Sequence, residues 1–168
     1  MHHVKGDLLK ADHLDYICHQ VNCQGRMGSG IAKAIREKWP EAYNEYRAWH
    51  HDWERRADEM GGSFEYGSPT GDELMLGNIL FHPVSETQSL IHLAAQQYYG
   101  YDGKRYTSYD AFWSCLGYIL EFIPEGSQIG FPAHIGCGLG GANWQVIKTM
   151  IEEVLDEKFD VYIYYLDI

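Results

Sequence analysis

The chain has 168 residues, 45% of them hydrophobic and 22% charged, which fits one globular domain spanning 1–168 with a sizeable core. Thirteen basic residues against 24 acidic ones give a net charge of −11, which argues against a broad nucleic-acid groove and leaves a small anion held by backbone amides as the accessible kind of ligand. No apolar run approaches the roughly 20 residues that span a bilayer, and the opening MHHVKGDLLKADHLD lacks the apolar stretch of a secretion signal, so a cytoplasmic location without a membrane partner is expected.

In chain order, residues 4–9 predict a short strand ending in a Gly-Asp turn, and 15–22 a buried strand. A helix begins at Ser29 or Gly30; Pro40 stops it and opens a second helix, EAYNEYRAWHHDWERRA. The segment 61–72 is rich in Gly, Ser, Pro and Thr and reads as a surface loop. Residues 74–84 and 89–95 carry β-compatible apolar runs, and 100–107 is a polar, glycine-punctuated loop. A helix over 108–122 is capped by Ser108 or Thr107, a strand covers 128–132, a helix 142–157 and a final strand 161–166. Strands alternating with helices predict an α/β sandwich with a largely parallel or mixed sheet, without repeats or a second domain.

Two segments stand out: HQVNCQGRMGSGIAKAI (19–35) and IGFPAHIGCGLGGANWQVIKTMI (129–151). Each reads as strand, glycine loop and helix start, an arrangement that offers bare N–H groups and a positive helix end to an anion. Two such loops point to a ligand with two phosphates held between them. Neither is a GxxxxGK[ST] loop, and the first lacks GxGxxG, its glycines falling at 25, 28 and 30. Asn22 ends a strand at the crevice, where its amide suits a ribose hydroxyl pair or a local turn. Met27 reads as a wall. In the second loop, Gly136, Gly138, Gly140 and Gly141 fall within six residues, His134 stands near the ligand, and Asn143 caps the next helix.

Asp7 suits either an exocyclic amine or a turn cap. His19, three residues before Asn22, faces away from it by strand alternation, as a hydrogen-bonded core histidine would. His50 and His51 read as solvent-facing, and no metal site is expected. The cysteines at 18, 23, 115 and 137 form no CxxC pair and read as reduced thiols, Cys18 in the core and Cys23 and Cys137 beside the loops. Tyr98, Tyr99 and Tyr101 belong to a cleft rim or cover the core.

These segments resemble the macrodomain family of ADP-ribose-binding modules over nearly the whole chain. The resemblance rests on VKGDLL (4–9), VNCQGRMGSGIA (21–32), the strand before Pro132 and IGCGLGGANW (135–144), in the family's order and spacing. The chain is most similar to the branch of terminal ADP-ribose glycohydrolases, DNA ADP-ribosyl glycohydrolase antitoxins and yeast-type ADP-ribose-1''-phosphatases. The resemblance implies a three-layer α/β/α sandwich with ADP-ribose in a cleft across the top; no cofactor is expected. It implies that Asp7 binds the adenine amine and Leu8 lines its slot, and that Asn22 contacts the distal ribose. Gly28, Ser29, Gly30 and Ile31 would cradle one phosphate, and Gly136, Cys137, Gly138, Leu139 and Gly140 the other, with Pro132 and Ile135 leading into that loop.

The pattern HxxNCxG is similar to that of the yeast-type phosphatases, which implies a catalytic pair of His19 and Asn22, provided a bulge turns His19 into the site. Two catalytic positions of the glycohydrolases differ here. Residues 90–95 run into Gln96 and Gln97 where a lysine is expected, and Gly140 and Gly141 stand where an aspartate is expected. The implied function is a hydrolase acting at the distal ribose of an ADP-ribose derivative, a 1''-phosphatase or a deADP-ribosylase. One alternative is a non-catalytic reader or sponge for ADP-ribose or a related nucleotide signal. Another is a glycohydrolase of ADP-ribosylated nucleic acid using Lys104. The implied partners are ADP-ribose or a derivative and an ADP-ribosylated macromolecule.

Overall fold

The computed structural model describes residues 1–61 and 67–166. In chain order they form β1 (His2–Lys5), β2 (Tyr16–Asn22), α1 (Gly30–Lys38), α2 (Pro40–Gly61), α3 (Gly71–Met75), β3 (Ile79–Pro83), β4 (Ser89–Gln96), α4 (Tyr109–Phe122), β5 (Gln128–Pro132), α5 (Trp144–Leu155) and β6 (Asp160–Tyr165). The sheet runs β1-β6-β5-β2-β4-β3, parallel throughout except for the antiparallel β3–β4 pair. A parallel strand flanked on both sides is covered on both faces, which is why residues 90–95 of β4 are continuously buried rather than alternating.

The two faces carry separate cores. Cys18, Ile91, Leu93, Phe131 and Ile163 point towards α4 and α5, where Phe112, Leu116, Ile147 and Ile151 meet them. On the opposite face Ile17, Leu90 and Tyr164 pack with Ile35 and Ala42, and Val21 and Ala94 with Tyr46 and Met75. Each fully buried Leu, Ile or Phe side chain contributes roughly 1.5–3 kcal/mol relative to exposure. The mixed three-layer sandwich implied by the sequence is the architecture observed. Among the described residues, no helix is long and apolar enough to cross a membrane.

Three local readings change. The strand expected over 4–9 ends at Lys5, and a 3₁₀ turn follows over Leu8–Lys10, with the Asp7 carboxylate accepting the Leu9 N–H at 3.0 Å. The loop expected over 61–72 is shorter at both ends: α2 runs to Gly61, α3 begins at Gly71, and residues 62–66 lie outside the described residues. Thr70 followed by Glu73 is a capping-box spacing, and Thr70 Oγ1 accepts the Glu73 N–H at 3.4 Å. The strand expected from 74 therefore starts at Ile79, after α3 and a turn at Gly77 with φ 90°.

Candidate functional site

Asn22, Gln96 and Pro132 are the last residues of β2, β4 and β5, and a cleft of about 660 Å³ opens beyond them. A crevice outside the carboxyl ends of parallel strands is where α/β sheets take ligands. The β2–β4 register shifts between Val21 and Asn22, ending the regular ladder as loop one departs. There the Asn22 Oδ1 accepts N–H groups of Gln24 at 2.9 Å and Arg26 at 3.4 Å, and its Nδ2 donates to the Arg26 carbonyl at 2.9 Å. Asn22 thus shapes loop one from inside while lining the cleft, and its Nδ2 retains a second N–H for a ligand.

The cleft's charge runs opposite to the chain's. Arg26 and Arg36 line it, and no Asp or Glu does among the described residues, although the net charge is −11. The Arg36 guanidinium sits 4.1 Å over the Tyr43 ring, which also lines the cleft. Together with the amino end of α1, these cations make an anion-attracting wall.

The glycines of loop two divide by cause. A Cβ on Gly136 would fall 2.7 Å from Gln20 Oε1, one on Gly140 2.5 Å from Thr107 Oγ1, and one on Gly141 2.9 Å from Arg105 Cα. Those three are required by the protein's own packing. Gly138 has open space around its missing Cβ, as does Gly28 in loop one; neither has positive φ, and both line the cleft. These two lack an internal reason to be glycine and leave bare backbone facing the cleft. Beneath loop two, Gln20 Nε2 donates to Gln96 Oε1 and Thr107 Oγ1, both at 2.8 Å, and the Thr107 hydroxyl donates to the Gly136 carbonyl at 2.8 Å. Gln20 Oε1 is buried and unpartnered at the cleft wall.

Of the residues singled out in the sequence, Asn22, Gly28, Ser29, Gly30, Ile31, Pro132, Ile135, Gly136, Gly138, Leu139 and Gly140 all line this one cleft. His134 does too, with its backbone at φ 62° and its ring 5.3 Å from Trp144. Four do not. His19 is fully buried on the opposite face, its Nε2 2.5 Å from Nδ1 of His92. The register shift follows His19 instead of preceding it, so alternation holds and no bulge turns the ring. Burial lowers the His19 imidazole to about 3, which keeps it neutral. Asp7 serves as the turn cap, and Leu8 is a core residue against which a Cβ on Gly130 would collide. Cys137 packs against the α4–α5 core.

Burial pushes the thiols of Cys23 up to about 12 and Cys137 to about 11, leaving both poor nucleophiles. Lys104 is outside the cleft lining, 77% exposed and 3.8 Å from Asp102. His50 is only 13% exposed and packs beside Gly25, unlike the solvent-facing side chain expected. With His51 and Glu54 it forms a group whose donor atoms lie within 4.8 Å of one another, away from the cleft lining. Arg26, Arg36, Tyr43 and Gln20 were not singled out in the sequence. Arg36 and Tyr43 reach the cleft only because α1 and α2 pack together, and no local motif announces that.

No family model matches the sequence. The chain is 23% identical over 166 residues to a Candida albicans protein named ADP-ribose 1''-phosphate phosphatase, covering 96% of this chain and 97% of that one. A Bacteroides thetaiotaomicron protein of unknown function superposes with a TM-score of 0.78 at 26% identity, over 98% of this chain and 97% of that one. A macrodomain protein from Streptomyces coelicolor gives 0.69 at 23%, over 99% of each chain. Thermosipho africanus DarTG in complex with ADP-ribose gives 0.71 at 18%, over 98% of this chain and 42% of that one. The chain therefore has the macrodomain fold, and along its length it is similar to a protein named ADP-ribose 1''-phosphate phosphatase.

Proposed function

We propose that this chain, a single macrodomain over 1–168, binds ADP-ribose or a derivative in the cleft and hydrolyses a substituent at the distal ribose. ADP-ribose 1''-phosphate is the favoured substrate. The observation that carries the reading is the cleft's composition: two arginines, no carboxylate among the described residues, and two glycines whose bare backbone the fold itself does not need. A nucleoside diphosphate fits such a wall, because its charge falls on arginines, loop amides and the start of α1. The name of the Candida albicans relative and the ADP-ribose complex of the Thermosipho africanus protein support the same ligand class.

In this reading Gly28, Ser29, Gly30 and Ile31 hold one phosphate and the loop from Gly136 to Gly140 the other. The second N–H of Asn22 orients the distal ribose. Water attacks the 1''-phosphorus, the bond from phosphorus to the ribosyl oxygen breaks, and ADP-ribose and inorganic phosphate leave. Loop amides offset charge on the leaving oxygen, and holding the reacting groups in place lowers the barrier further. His134 is the imidazole on the described cleft lining, so it takes over the proton transfer that the sequence had given to His19. A cytoplasmic location belongs to the same proposal, supported by four free cysteines.

A second reading, a reader or sponge that binds without turnover, is favoured by the lack of a carboxylate base on the described lining. An ADP-ribosylated macromolecule is a partner under either reading. The deciding experiment is calorimetric titration with ADP-ribose and, in parallel, ADP-ribose 1''-phosphate, with phosphate release followed by chromatography. Binding with phosphate release is expected. Binding without release favours the reader, and an absence of binding overturns both.

A further inference from the structure

A cluster of metal-ligating side chains lies on α2, outside the cleft. His50, His51 and Glu54 stand at i, i+1 and i+4, so they leave the helix within a sector of about 100°. The Glu54 carboxylate sits between the two rings: Oε1 is 3.2 Å from His50 Nε2, and Oε2 is 3.9 Å from His51 Nδ1. The three donor atoms lie within 4.8 Å of one another. Zinc bonds of about 2.0–2.2 Å to nitrogen and oxygen set neighbouring donors of a tetrahedral site about 3.3–3.6 Å apart. Small side-chain rotations therefore bring these three around one ion.

The surroundings favour that use. Arg55 pairs with Asp52 and Glu59, and Arg56 with Asp52, so among the described residues the ion-pair contacts of Glu54 are the two histidines alone. Two of the donors are held from outside the helix. A Cβ on Gly25 would fall 3.3 Å from His50 Nδ1, and one on Gly71 would fall 2.7 Å from Glu54 Cα and 3.1 Å from its Cγ. Loop one thus packs against the Nδ1 side of His50 and leaves Nε2 towards Glu54, while the start of α3 packs against the stem of Glu54. His51 is 64% exposed and free to swing in and close the site.

We propose that His50, His51 and Glu54 form a binding site for a divalent transition-metal ion of the zinc type, with water in the remaining position. Two imidazoles with one carboxylate suit zinc, whereas magnesium and calcium take oxygen donors. None of the three residues lines the cleft, so the ion sits behind loop one, next to the ring that packs against Gly25. The inference does not rest on the ADP-ribose reading, and either can fail without the other.

The test is calorimetric titration of the chelator-treated protein with zinc chloride. One equivalent is expected to bind with a micromolar Kd and to raise the melting temperature, and cobalt(II) in its place is expected to give the visible absorption bands of a site ligated by nitrogen and oxygen. His51→Ala and Glu54→Gln should each weaken zinc binding roughly tenfold or more, at least the loss that follows removal of a mere supporting partner. A variant carrying His2→Ala and His3→Ala, which removes the two imidazoles of β1, should keep wild-type affinity. Metal-free melting checks the fold of each variant; should Glu54→Gln melt lower than wild type, His51→Ala alone decides. Zinc binding weaker than about 100 µM overturns the inference. So does binding that His51→Ala leaves intact, or that the β1 substitutions abolish.

Discussion

The Tyr46 hydroxyl lies 2.6 Å from the main-chain oxygen of Asn22 and 2.9 Å from its Oδ1, so a fully buried residue of α2 fixes the strand end from which loop one departs. Removing that hydroxyl takes the side-chain donor from the Asn22 carbonyl in a part-buried place, while Oδ1 keeps the Gln24 and Arg26 amides. Tyr46→Phe is expected to cost about 1–2 kcal/mol in urea unfolding and to weaken ADP-ribose binding, since loop one loses its inner brace. Unchanged affinity in the calorimeter would show that loop one keeps its shape without Tyr46.

Asn22 does more than its strand-end position implied. A purely catalytic Asn22 would make Asn22→Ala lower turnover more than binding. Because its amide also holds Gln24 and Arg26 in place, we now expect both to fall together. Parallel measurement of kcat and Kd separates the two roles.

The two kinds of glycine separate in the same way. Gly28→Ala and Gly138→Ala have room and ordinary backbone, so stability should stay within about 0.5 kcal/mol while ligand affinity drops about tenfold or more. Gly136→Ala places a methyl against Gln20 at φ 75° and should cost about 1–3 kcal/mol of stability. Thermal melts with and without ADP-ribose check both.

Buried histidines make the fold acid-sensitive. His19 is lowered to about 3 by burial, and His92 well below its ordinary value by burial and the neighbouring His19 and His82. One ring nitrogen of each is buried without a partner. Because the folded values lie below the unfolded ones, the unfolded chain binds more protons in acid. Stability from this pair is complete above about pH 6.5 and is lost as pH falls towards 3, by up to about 2.7 kcal/mol per pH unit for two groups. Replacing both by leucine should flatten the dependence of the urea midpoint between pH 7 and 5; an unchanged slope would assign the acid sensitivity elsewhere.

Charge at the cleft should act locally. Arg36→Ala is expected to weaken ADP-ribose binding severalfold and to reduce its salt dependence, while Lys104→Ala leaves binding and turnover unchanged because Lys104 lies outside the cleft lining. Titrations at two salt concentrations test the pair, and a large effect of Lys104→Ala would revive the nucleic-acid glycohydrolase reading.

Much of this molecule is written locally. The apolar runs of β2, β4 and β6 and the Ser108 and Asn143 caps are short-range patterns, because strand and cap signals depend on residues a few positions apart. Both glycine loops could be located that way, and so could the outward turn of His19's neighbour Asn22 against His19 itself. Why a given glycine is needed could not: Gly140 answers to Thr107 and Gly141 to Arg105, partners more than thirty residues away. The Thr70–Glu73 spacing of α3 was present in the sequence but hidden in a segment whose Gly, Ser and Pro content signals loop.

The sequence by itself therefore determined most of the strands and helices, the mixed sandwich they build and where the two glycine loops lie along the chain. Tertiary structure alone decided that His19 pairs with His92 rather than the cleft, that Arg36 and Tyr43 join the site, and that Ser29 meets Tyr101. The reason is physical: secondary structure answers to neighbours along the chain, whereas a side chain's partner across the fold depends on how helices pack and where each strand's ladder ends.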